Sequence, residues 1–162
     1  MIEHRGKVKV FIMKSIIVNE KEYKLEFTFE AAEYKELVQK MFNLLSGAYL
    51  IKGGNVVENV IDGAAEMVAD IPHICITAFY AGLLENNPVT AEEAKTLMKI
   101  YMKDNNLSYR SLFEELKRCM EDDGFFDLSG LTEMINEMNA SAEKMKAPKA
   151  PQDHKKKQTS TK

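Results

Sequence analysis

The sequence predicts a mainly α fold: a small helical domain of five or six helices behind an N-terminal β-hairpin, ending in a disordered tail. Three observations carry this. Apolar residues alternate with period two up to about Phe29, then recur at i, i+3, i+4, i+7 as far as Met138, and beyond residue 140 large apolar side chains nearly cease. The organisation that follows is one domain over residues 1–140, with the hairpin at about 8–29 and the helical part at about 30–140, and a basic tail over 141–162. A chain of 162 residues is long enough for one such domain with a substantial core.

The strands come first. KVKVFIM alternates at its start, and SIIVNEKEYKLEFTF sets Ile17, Tyr23, Leu25, Phe27 and Phe29 among polar residues. Asn19 to Glu22 form the polar break between the two runs. No Asn-Gly pair is present, so the break predicts a longer loop rather than a tight two-residue turn.

From Thr28 the period lengthens. Tyr34, Leu37, Val38, Met41, Phe42 and Leu45 share one helix face, and Gly47 follows as a stop. After Gly53 and Gly54, Asn55 and Glu58 have the spacing of a capping box, and Val57, Val60, Ile61, Ala64, Val68 and Ile71 form the next stripe. Pro72 donates no amide and restricts its predecessor, which predicts a break with Asp70 as the new cap. The third helix then carries Ile71, Ile74, Cys75, Ala78, Phe79 and Gly82, and Asn86, Asn87 and Pro88 end it.

Thr90 and Glu93 form the capping box of a fourth helix bearing Ala94, Leu97, Met98 and Tyr101. Its carboxylates stand where the macrodipole favours negative charge. A fifth helix follows Ser108, turns Leu112, Phe113, Leu116, Cys119 and Met120 inward, and stops at Gly124. A shorter sixth uses Leu128, Leu131, Met134, Ile135 and Met138. The tail AEKMKAPKAPQDHKKKQTSTK has no aromatic and no branched aliphatic residue, so it buries too little surface to offset chain entropy.

Composition narrows the function. Neither a signal peptide nor a membrane span is predicted: the longest unbroken apolar run is a few residues, and Glu3, His4 and Arg5 follow Met1. Cys75 and Cys119 lie on apolar helical stripes, where a free thiol behaves as a small hydrophobe. From Ser141 onward seven lysines face two acids, which leaves the first 140 residues with a net charge of −8. An acidic body opposes the phosphate contacts on which non-specific nucleic-acid binding rests.

Catalytic and metal-binding patterns find little support, and no cofactor is expected. Of the three histidines, His73 has Asp70 and Cys75 nearby, but Cys75 is two residues away and does not share its helix face. EDDGFF is no calcium loop, because Gly124 at its sixth position would put Cys119 first and Gly130 twelfth. The Gly53-Gly54 pair lacks phosphate-loop spacing, and no serine has a nucleophile-elbow setting. A small helical DNA-binding regulator is the competing reading; its recognition segment SYRSLFEELKR would offset Arg110, Lys117 and Arg118 with Glu114 and Glu115.

The ten methionines suit either adaptable binding surfaces or core filling, and Met41, Met98 and Met120 fall on core stripes. Tyr80, Leu83, Met102 and Phe126 are harder to turn wholly inward, and an exposed patch of them would mark a partner site.

The order of elements adds a resemblance. KSIIVNEKEYKLEFTF and a helix, then ITAFYAGLLENNPVTAEEAKTLM, then LFEELKRCMEDDGF, resemble the tail assembly chaperones of long-tailed phages and Gram-positive prophages over about Met13 to Phe126. The most telling piece is Tyr80-Ala81-Gly82-Leu83 leading through Asn87 and Pro88 to the Thr90 helix start. The resemblance implies a non-enzymatic protein of the bacterial host cytoplasm, absent from the mature virion. Its implied partners are the tape measure protein and the major tail protein, with self-association a further expectation. That family commonly makes a longer product by frameshifting, for which Lys155 to Lys157 offer a candidate slippery codon run, and its usual start makes Met13 the candidate initiator.

Overall fold

A computed structural model of the chain describes residues 14–47 and 56–146, with residues 56–60 by their backbone alone. The architecture is the predicted one: mainly helical behind an antiparallel hairpin. The segment KVKVFIM, the Gly53–Asn55 start signal and the tail from residue 147 lie outside the described residues.

Strands β1 (Lys14–Val18) and β2 (Lys21–Leu25) pair with Ile16 opposite Tyr23 and Val18 opposite Lys21. That register leaves only Asn19 and Glu20 in the turn, both at positive φ, 50° and 66°. The tight primed turn forms without Asn-Gly, so the longer loop expected from the sequence is not present. Asn tolerates the left-handed region, whereas Glu there costs about 1–2 kcal/mol. The buried face is Ile16, Val18, Tyr23, Leu25 and Phe27. Ile17 and Phe29, both expected inward, are exposed: adjacent isoleucines leave the phase of a strand open, and Phe29 already belongs to a helix.

The single first helix expected from periodicity is two: α1 (Phe29–Glu33) and α2 (Lys35–Leu45). They meet at Tyr34, whose backbone is extended (φ −77°, ψ 95°). The break lets the Tyr34 ring stand edge-on to Tyr80, 5.4 Å between centroids. Leu37 and Met41 are buried, Val38 and Phe42 partly so, and Gly47 (φ 71°) follows the end of α2.

Helix α3 (Val56–Leu83) runs unbroken through Pro72. The predicted boundary with a cap at Asp70 is therefore absent. Proline removes one hydrogen bond to the carbonyl of Val68 and crowds it, but the buried residues beyond it, from Ile74 to Leu83, hold the helix in line. This second half is buried on nearly every side, as Cys75, Ala78, Phe79, Ala81 and Leu83 all show. Gly82 allows the hairpin to approach: a Cβ there would lie 2.8 Å from Phe27 Cζ. Beside it the Glu26 amide donates to the Gly82 carbonyl at 2.9 Å.

The loop after α3 fastens the hairpin. Lys24 N donates to Asn87 Oδ1 (2.9 Å), Asn86 Nδ2 to Glu26 Oε2 (2.7 Å) and Glu30 N to Glu85 Oε2 (3.0 Å). Helix α4 (Ala91–Asp104) then opens on the full predicted capping box: Glu93 N donates to Thr90 Oγ1, and Thr90 N to Glu93 Oε2. Helix α5 (Tyr109–Asp122) starts at the Ser108 cap and buries Leu112, Phe113, Leu116 and Met120.

Gly124 (φ 75°) and Gly130 (φ 80°) bracket a single turn, α6 (Phe125–Leu128), so the expected sixth helix is divided. Its remainder, α7 (Leu131–Lys146), continues to Lys146 past residue 141, where the disordered tail was expected to begin.

Candidate partner-binding surfaces

The four residues proposed from the sequence do not form an exposed patch. Leu83 is fully buried, 0% exposed, and belongs to the core. Tyr80 is half-buried against Tyr34, and Met102 and Phe126 are half-buried against the core. Phe126 also meets Phe125 edge-on at 5.4 Å and lines a groove with Leu45, Leu131 and Ile135. The expectation missed Leu83 because a central helix buries residues on every side, leaving no outer face for it.

Beyond single exposed side chains such as Ile17 and Phe29, uncovered apolar stripes lie on two helices that outrun the core. On α7, Leu131, Met134, Ile135, Met138, Ala142 and Met145 follow helical spacing. Leu131 is buried, but Met134, Met138 and Met145 are 50%, 42% and 87% exposed. Packing by α2 and α6 holds only the beginning of this helix, and from Asn136 to Lys146 every residue is exposed. Between α2 and α7 lies an open groove of about 630 Å³, lined in its apolar part by Val38, Phe42, Leu131 and Met134.

The first half of α3 is the second such surface. Ile61 and Val68 are 64% and 59% exposed, with Ala64 and Ala65 exposed between them. These positions belong to a stripe whose spacing resembles a core face, yet the fold leaves them in water. Helical geometry places Asp62 and Glu66 along one side of that stripe.

Ionisable groups inside the molecule act as fasteners. Lys14 pairs with Glu115, which also accepts from Tyr101 Oη at 3.1 Å, while the ammonium stands 5.8 Å from the Tyr101 ring centre. Burial opposes the Lys14 charge, but the Glu115 hydrogen bond and the surrounding charges prevail, and its pKa is raised. Asp123 is buried and accepts from Phe27 N at 2.8 Å, tying the exit of the hairpin to the end of α5. Burial raises its pKa against the pull of that bond.

The candidates for chemistry separate in space. His73 is exposed while Cys75 is buried and donates to the Tyr109 carbonyl. Desolvation pushes the Cys75 thiol up to about 12, the opposite of nucleophile activation. Cys75 and Cys119 are both free thiols. Among the described residues no three His, Cys, Asp or Glu side chains converge as metal ligands. Among the same residues no helix is long and apolar enough to cross a membrane. On α5, Lys117 pairs with Glu121 at 3.6 Å, and Glu115 is held by Lys14 of β1.

No protein-family model, curated protein or solved structure matches the chain.

Proposed function

We propose that this chain is a non-enzymatic tail assembly chaperone of the bacterial host cytoplasm. It holds the apolar faces of the tape measure protein in solution until tail-tube subunits displace it. The observation that supports the reading best is α7, a helix anchored at one end whose methionine stripe projects into water. An amphipathic partner helix buries such a stripe through i, i+3, i+4 contacts, and flexible methionines adapt to changing side chains along a long partner. Weak single contacts suffice where many copies line one chain. The resemblance of the sequence to tail assembly chaperones is what points to the tape measure protein as the partner.

Co-expression tests it. A candidate tape measure protein should move into the soluble fraction with the wild-type chain and remain insoluble with Met134→Glu/Met138→Glu. An insoluble partner beside a soluble, folded wild-type chain sinks the proposal.

A further inference from the structure

The first half of α3 shows to water a stripe that helices ordinarily cover. Ile61, Ala64, Ala65 and Val68 stand at i, i+3, i+4 and i+7, and all four are exposed. Asp62 and Glu66 flank the stripe, and Asp70 follows at the same four-residue step. No lysine or arginine occurs on α3, or anywhere in the sequence between Lys52 and Lys95. From this face we infer that α3 docks an amphipathic helix of another protein, one that carries lysine or arginine beside its own apolar stripe.

Spacing sets the shape of the partner, and charge sets its kind. Ile61 and Val68 with two alanines between them form a shallow seat, which a second helix enters at the short end of the interaxial range of about 8–10 Å. An extended peptide gains nothing here, because a helix bonds its own amides and carbonyls and offers no edge to pair with. Carboxylates four residues apart repel one another, so a cation placed between them is favoured. The same charges repel an anionic lipid surface and a nucleic-acid backbone. From Ile61 to Val68 the stripe spans only about 10 Å. The contact is therefore small, its affinity modest, and the flanking charges decide which helix binds. The inference does not rest on the role given to α7.

Fluorescence anisotropy with the full chain tests it. The probe is a labelled leucine–lysine peptide of about 18 residues, long enough to form a helix, with leucine at i, i+3, i+4 and i+7. It should bind, more weakly in high salt, and protect the amides from Ile61 to Asp70 against hydrogen exchange. A scrambled peptide of the same composition, or one with glutamate for lysine, should bind far more weakly. Ile61→Ser/Val68→Ser should lower the affinity by about tenfold or more, since two aliphatic side chains no longer gain burial at the contact. Asp62→Lys, on the exposed flank, should weaken the lysine peptide and strengthen the glutamate peptide, and it serves alone if the serine variant does not fold. No binding of the lysine peptide, equal binding of the scrambled one, or an affinity untouched by Ile61→Ser/Val68→Ser overturns the inference. So does a dimer of the chain, or binding to phosphatidylglycerol vesicles, that the serine variant abolishes, because the face then has a different occupant. The serine variant should still solubilise the tape measure protein, so failure of this inference leaves the proposed function standing.

Discussion

Replacing Gly82 with alanine sets two effects of opposite sign against each other. In a helix interior the change alone gains roughly 0.5–1 kcal/mol, because alanine loses less backbone entropy. Here the new methyl group would lie 2.8 Å from Phe27 Cζ and 3.2 Å from Leu25 Cδ2, while carbon atoms pack best at about 3.5–4.0 Å. The ring has little room to retreat. Its amide is held by Asp123, its edge meets Phe125 at 6.4 Å between centroids, and Glu26 N is bonded to the Gly82 carbonyl. Overpacking of this kind costs about 1–3 kcal/mol, so the steric term wins and Gly82→Ala is destabilising by about 0.5–2 kcal/mol. Urea denaturation followed by circular dichroism should show the midpoint lowered by roughly half a molar with unchanged slope. Phe27→Leu removes the clashing Cζ, so the double variant should be more stable than the sum of its single changes by at least about 0.5 kcal/mol. A Gly82→Ala chain as stable as the wild type, or more so, refutes the close approach of hairpin and helix.

Three further outcomes are expected. Burial keeps the Asp123 proton in the folded chain at pH values where the unfolded chain has released it. Its contribution is therefore greatest below the ordinary carboxylate value and fades as pH rises through the raised folded value. Chemical denaturation at several pH values should show the wild type losing stability across that window relative to Asp123→Asn, which retains an acceptor for Phe27 N. Asp123→Ala orphans that amide and should cost about 1–3 kcal/mol. Glu20→Gly relieves a left-handed residue in the hairpin turn and should raise thermal stability by about 1 kcal/mol; a loss would contradict the two-residue turn. Cys75 should resist iodoacetamide at pH 8 in the native chain and react on unfolding, and alkylation of the folded protein, located by mass spectrometry, would contradict its burial.

Much of the architecture was legible because local and tertiary signals agree there. Thr90 with Glu93 and Ser108 mark helix starts at which the side chains do satisfy the first amides. Ile71, Ile74, Cys75, Ala78, Phe79 and Gly82 form the inward face that their spacing requires. Where the reading departs from the structure, a tertiary contact overrides a local preference. Tyr34 breaks its helix beside Tyr80, core packing carries α3 through Pro72, and the pairing of Ile16 with Tyr23 turns Ile17 outward. The candidate surfaces were the least legible part. Spacing identifies a stripe such as Ile61–Val68 or Met134–Met138, but it does not distinguish a stripe covered by the same chain from one awaiting another.

The most direct test of the chaperone reading is hydrogen exchange on the chain alone and bound to the tape measure protein. Amides of α7 beyond Asn136, which have little packing of their own, should exchange quickly in the free chain and become strongly protected in the complex. A stable complex that leaves α7 exchanging at its free rate would contradict the role assigned to the methionine stripe.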